Sequence, residues 1–282
     1  MRRLPPSPLP SLPTLARRLV AEGIGTALLV AIVVGSGIRA ERLADGDTAL
    51  ALLCNALATG AGLLALLVSF GSISGGHLNP VASLSAWLQG RLTAREALPY
   101  GMAQSTGAVA GAMAAHAMFG LPVLEMSTQV RTGGGMWWSE CLATFGLVGL
   151  AMATARTRPA SVPFVVAGYI TAGYWFTSST SFANPALTLA CALTDTFTGI
   201  RPGDVPAFVL AQIGGALVAT RLFQWLCPAE YPAECPVEGL LPAAVELHAE
   251  DRAAGLRGPG FGGRGERDAI DVAGAAVGVE RA

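Results

Sequence analysis

The chain reads as an all-α membrane protein with six spans and two half-length re-entrant helices, arranged as an inverted repeat. Three observations point there. Charge is too sparse for a soluble surface, six apolar stretches have membrane length, and a short Asn-Pro segment occurs once in each half of the chain.

Of the 282 residues, 52% are hydrophobic and 13% are charged, where a typical soluble domain carries about 25% charged residues. Mean hydropathy is +0.52. A net charge of -1, with no basic cluster, gives no support for nucleic-acid binding. Every Lys/Arg position is arginine. Cys54, Cys141 and Cys191 lie in apolar stretches, where a free thiol behaves as a small hydrophobe. Cys227 and Cys235 flank a Pro-rich turn, but no second Cys pair or neighbouring His completes a metal site. No metal or cofactor is therefore expected. Residues 1–14 hold Pro5, Pro6, Pro8, Pro10 and Pro13 and read as irregular. The apolar run that follows is long and lacks a small-residue cleavage site, so it is not a secretory signal. Residues 228–282 turn polar, Gly-rich and charged, a composition that predicts a disordered tail.

A membrane helix needs about 20 mostly apolar residues. Six stretches qualify: 15–38, 48–70, 97–119, 137–154, 163–180 and 205–226. Arginine placement orients them. With the N-terminus cytoplasmic, the inner segments hold Arg2, Arg3, Arg17, Arg18, Arg91, Arg95, Arg156 and Arg158, and the outer loops hold Arg39, Arg42, Arg131 and Arg201. That bias predicts cytoplasmic termini and a multi-pass protein of the cell's inner (plasma) membrane. Trp137, Trp138 and Trp225 fall near span ends, where aromatic belts form.

Two further segments, 79–88 and 184–193, are long enough for only half a membrane. Each follows a polar, irregular stretch. Non-helical backbone persists at membrane depth only where protein buries it or it lines an aqueous cavity. An internal repeat supports the second alternative. Glu22 with Thr26, Leu29 and Val30 matches Glu140 with Thr144, Leu147 and Val148. Asn79-Pro80 matches Asn184-Pro185, and Ala103-Gln-Ser-Thr-Gly-Ala108 matches Ala211-Gln-Ile-Gly-Gly-Ala216. The predicted channel region is 15–227, with repeats of about 15–119 and 136–227. Each repeat has three spans, so the second is inverted relative to the first. The half-spans then enter from opposite faces and meet near the midplane.

Asn-Pro suits that meeting point. Asn caps a helix N-terminus, and Pro fits the first helical position because its missing N–H had no partner there. The starts are Pro80-Val81 and Pro185-Ala186. The Asn79 and Asn184 side-chain oxygens satisfy backbone donors, which leaves their amide groups to donate to a solute oxygen. The two helix N-termini add partial positive charge at the midplane, which opposes cations and protons.

Ser74-Gly-Gly-His-Leu-Asn-Pro-Val81 and Phe182-Ala-Asn-Pro-Ala186, with the repeated Glu and Gln, resemble the major intrinsic proteins, the aquaporins and aquaglyceroporins, over residues 15–227. The resemblance implies an aquaporin-like fold, one pore per subunit, a homotetramer in the lipid bilayer, and small neutral solutes as cargo. It also implies a selectivity filter at Thr59, Ala172, Ser181 and Leu187. Two positions depart from the family pattern. Val81 replaces the usual Ala, with a small shift expected between the half-helices. Leu187 stands where the family usually has Arg, and neither the usual filter aromatic nor the usual His is present. The expected filter is wide and uncharged. It suits water, glycerol, urea and neutral metalloid acids such as arsenite or boric acid, and their methylated forms, with ions and protons excluded.

Glu22 and Glu140 lie inside spans and are read as braces for the loops before the half-helices, together with His77. Gln104 and Gln212 are read as interhelical hydrogen-bonding residues, and Gly107, Gly111, Gly146 and Gly149 as close-packing positions. The alternative function is a secondary transporter, which also uses inverted repeats and broken helices. Against it, the polar centre holds two Asn and no coupling charge. The sequence has no carboxylate pair, metal spacing or nucleophile motif of an enzyme.

Overall fold

A computed structural model describes residues 13–227. The Pro-rich segment up to residue 12 and the tail over 228–282, including Cys235, lie outside the described residues. Eight α-helices follow one another: α1 (Leu15–Ala44), α2 (Thr48–Ser74), α3 (Pro80–Leu88), α4 (Ala94–Phe119), α5 (Gly134–Thr157), α6 (Val162–Phe176), α7 (Pro185–Cys191) and α8 (Val205–Leu226). No strand occurs among the described residues.

Local chemistry sets the helix ends. Thr14 and Asp47 cap α1 and α2 by accepting from Arg17 N and Leu50 N at 3.5 and 3.0 Å. The first span runs past Ile38 to Ala44 because Arg39, Glu41 and Arg42 are sound helix formers. Asp45, at φ 46°, then closes it. At the start of α4, the Glu96 carboxylate accepts from Thr93 N and Thr93 Oγ1, both at 2.9 Å. The fifth span stops at Phe176, short of residue 180. Thr177 turns extended there, and its hydroxyl donates to Gly173 O at 2.7 Å. By length and composition α1, α2, α5 and α8 can each cross a membrane alone. α4 carries Arg95 and Glu96 in its first turn and Gln104 and His116 further along, and α6 has only 15 residues. Both depend on their neighbours.

Packing reveals the repeat. α1 packs on α2 and α4, and α5 packs on α6 and α8. α3 touches α4 and α8, α7 touches α8 and α4, and α2 meets α6. Exchanging α1–α4 with α5–α8 leaves this pattern unchanged. The closest helix approaches obey the same exchange. A Cβ at Gly107 would lie 2.2 Å from Gly23 O, and a Cβ at Gly215 would lie 2.2 Å from Cys141 O. These four residues are equivalent pairs in the repeat. The opposing atoms are backbone and cannot swing aside. Gly107→Ala is therefore expected to force α1 and α4 apart and cost about 1–3 kcal/mol. A lowered melting temperature in detergent is the readout, and an unchanged one would contradict the packing argument.

Candidate functional site: a two-chambered passage

α3 and α7 begin at Asn79 and Asn184, which are 6% and 4% exposed. Asn79 Oδ1 accepts from Val81 N at 3.1 Å, and Asn184 Oδ1 accepts from Ala186 N and Leu187 N at 3.0 and 3.3 Å. Each amide also donates across the pseudo-twofold. Asn79 Nδ2 donates to Ala183 O at 2.8 Å, and Asn184 Nδ2 donates to Leu78 O at 2.9 Å. The amide groups are thus half engaged, where the sequence reading left them wholly free. One N–H of each remains for a solute. Leu78 and Ala183, immediately before the two Asn, hold left-handed backbone at φ 49° and 46°. Non-Gly residues rarely adopt that conformation.

Two buried carboxylates hold these turns. Glu22 accepts from Ser74 Oγ, His77 N, Leu78 N and Gln104 Nε2 at 2.6, 2.9, 2.6 and 2.7 Å. Glu140 accepts from Phe182 N, Ala183 N and Gln212 Nε2 at 2.9, 2.8 and 2.6 Å. Each is surrounded by donors, which suits an acceptor that fixes a loop. The His77 ring meets Ser83 Oγ at 3.0 Å. Val81 is buried against Val148, Met152, Ala216 and Ala219 on α5 and α8, so its extra bulk is taken up there.

A cavity of about 430 Å³ runs past both Asn side chains. His77 and Arg91 lie in its wall, which is otherwise largely apolar, with Leu63, Leu147 and Ile170 among the lining residues. A second cavity of about 110 Å³ lies beyond it. Both are lined by Val33, Tyr174, Ser181, Phe182 and Leu187, which form the neck between them. None of these five side chains is charged.

Ser181 and Leu187 therefore stand at the neck, and Thr59 stands in the larger chamber beside it. Ala172 does not join them. It is exposed on the outer face of α6, and Tyr174 takes its place. Two residues along a helix is a turn of about 200°, enough to exchange inner and outer faces. The buried Tyr174 hydroxyl lies 3.0 Å from Thr59 Oγ1. Sequence reasoning also passed over Asn55. It lies one turn before Thr59 on the same face of α2, a spacing that could have revealed it.

Residues 11–163 match the family model described as Major intrinsic protein. The chain belongs to the major intrinsic protein family. An aquaglyceroporin, AqpS, of Rhizobium meliloti is 55% identical over 212 residues, spanning 75% of this chain and 91% of the relative. A probable aquaporin, AqpM, of Archaeoglobus fulgidus is 31% identical, covering 76% of this chain and 98% of its own. The structure of the aquaglyceroporin from Plasmodium falciparum superposes with a TM-score of 0.60 at 19% identity. That match covers 76% of this chain and 98% of the other, and it shows the shared fold. As a family member, this multi-pass membrane protein is a channel and not an enzyme.

Proposed function

We propose that this protein is a passive channel for water, glycerol, urea and neutral metalloid acids, and that it excludes ions and protons. The observation that carries this reading is the uncharged neck between two chambers, with Leu187 and Ser181 in its wall and the paired Asn79 and Asn184 in the larger chamber. A leucine leaves more room than an arginine and adds no fixed charge at that position. The free amide N–H groups of the two Asn offer donors to a solute oxygen. The two helix N-termini disfavour a cation there. Kinship with an aquaglyceroporin supports glycerol among the cargoes.

The arginine bias supports an inner-membrane protein with both termini cytoplasmic. The family resemblance supports a homotetramer. Stopped-flow light scattering on proteoliposomes tests the channel reading. Water and glycerol are expected to enter several-fold faster than into empty liposomes, without saturable coupling to an ion gradient. Gradient-dependent uptake alone would favour the transporter alternative.

A further inference from the structure

The smaller chamber has its own chemistry. The connection between α4 and α5 crosses the end of α7, where Glu125 N and Ser127 N donate to Leu193 O and Ala192 O, both at 3.1 Å. Arg201 N donates to Gln129 O at 2.7 Å, and Arg131 N donates to Asp204 Oδ2 at 3.0 Å. This framework delivers the Arg131 side chain to the chamber wall. Its Nε donates to Gly199 O at 2.7 Å, Nη1 to Ser179 O and Thr180 Oγ1 at 3.2 and 3.4 Å, and Nη2 to Phe197 O at 3.4 Å. The guanidinium also lies 4.9 Å from the Phe182 ring centre. Four of its five N–H groups are engaged, leaving one on Nη2. Among the described residues no carboxylate forms an ion pair with it, and it lines the same chamber as Leu187.

Three buried polar atoms around the same chamber have no oxygen or nitrogen partner: Asn55 Oδ1, Ser181 Oγ and Thr198 Oγ1, the last with only the Cys191 thiol in reach. Their residues are 1%, 2% and 5% exposed. The Asn55 amide cannot simply be turned over. Its Nδ2 donates to Val33 O and Ser36 Oγ, both at 2.9 Å, and the flipped oxygen would face the Val33 carbonyl. Buried acceptors are costly to leave unpaired. A chamber of 110 Å³ holds about three or four waters, or one small solute.

We propose that this outer chamber is a recognition station: Arg131 supplies the fixed positive charge that position 187 lacks, and Asn55, Ser181 and Thr198 receive the hydroxyls of a small neutral polyhydroxy solute. The proposal rests on the channel reading above and assigns its selectivity to residues outside the neck's usual set. Arg131 repels cations at the entrance and donates one hydrogen bond to a solute oxygen. Asn55 Oδ1 can only accept, so it favours a solute hydroxyl over an aprotic group of the same size.

Full-length protein in liposomes tests both halves, with every flux divided by the water flux of the same preparation. Arg131→Met is expected to raise entry of methylammonium, a small cation, at least tenfold over wild type. Arg131→Lys should restore exclusion. Thr198→Val keeps the side-chain shape and replaces the hydroxyl with a methyl group, and it is expected to lower the glycerol-to-water ratio about threefold. If Arg131→Met fails to reach the membrane, Arg131→Gln carries the cation test. An unchanged ratio in either arm, in a variant that conducts water, overturns the proposal. A wild type that conducts neither water nor glycerol instead overturns the channel reading beneath it.

Discussion

Leu187→Arg is expected to cut glycerol and urea entry about tenfold or more while leaving most water flux. Leu187 helps line the neck together with Val33, Tyr174, Ser181 and Phe182, so a longer side chain there narrows the passage itself. The arginine would extend from the first turn of α7, whose start is anchored by Asn184. Its five N–H groups would meet solute oxygens or nearby carbonyls, and water, the smallest cargo, loses least. A tenfold fall corresponds to about 1.4 kcal/mol of barrier, a modest demand on one steric and charged contact. Stopped-flow glycerol and urea permeabilities, normalised to water, are the readout. Equal ratios in wild type and variant would show that position 187 does not limit passage. Arg131 already borders the smaller chamber, so a second guanidinium there also meets like-charge repulsion. Arg131→Met in the same chain should relieve any associated loss of thermal stability.

Cap chemistry made the half-helices legible. Asn followed by Pro starts a helix by local rules, and α3 and α7 begin where those rules put them. The repeat was legible because Glu22 with Gln104, and Glu140 with Gln212, reach between helices for one purpose. α7 nonetheless ends at Cys191, before residue 193, where Ile200 N donates back to Cys191 O at 3.1 Å. That bond comes from a later loop and has no local signal. Ala172 shows a different limit. In an α6 apolar on every side, periodicity does not reveal which face turns inward. Tyr174 carried the better clue, since a tyrosine in an apolar helix needs a hydroxyl partner, and Thr59 provides it. Arg131 was hidden for a third reason. It sits in an irregular connection, and its placement depends on the carbonyls of Gly199, Ser179 and Phe197, from segments distant in sequence. Tertiary folding alone brings them together.

Glu22→Leu and Glu140→Leu should damage the channel more than any substitution at the neck, and Glu22→Leu should be the worse of the two. Leucine fills similar volume but accepts nothing. At Glu140 it orphans Phe182 N, Ala183 N and one N–H of Gln212 Nε2; at Glu22 it orphans His77 N, Leu78 N and one N–H of Gln104 Nε2, and leaves Ser74 Oγ only the long 3.5 Å bond to Phe70 O. Each buried orphan costs about 1–3 kcal/mol, and both Glu side chains are fully buried. The damage then spreads along the chain. Ala183 and Leu78 hold left-handed backbone that costs about 1–3 kcal/mol and persists only while its surroundings enforce it. Releasing either turn moves a carbonyl that accepts from the opposite Asn, since Leu78 O serves Asn184 and Ala183 O serves Asn79. Loss of one brace therefore disorders both half-helix starts, across the pseudo-twofold. The expected result is a lower melting temperature in detergent and loss of water flux in the protein that does fold, with glycerol falling in parallel. Glutamine at either position keeps one accepting oxygen but points an amide donor at the remaining N–H groups, so an intermediate loss is expected. A Glu22→Leu protein that melts and conducts like wild type would mean that the loop turns hold themselves without the carboxylate.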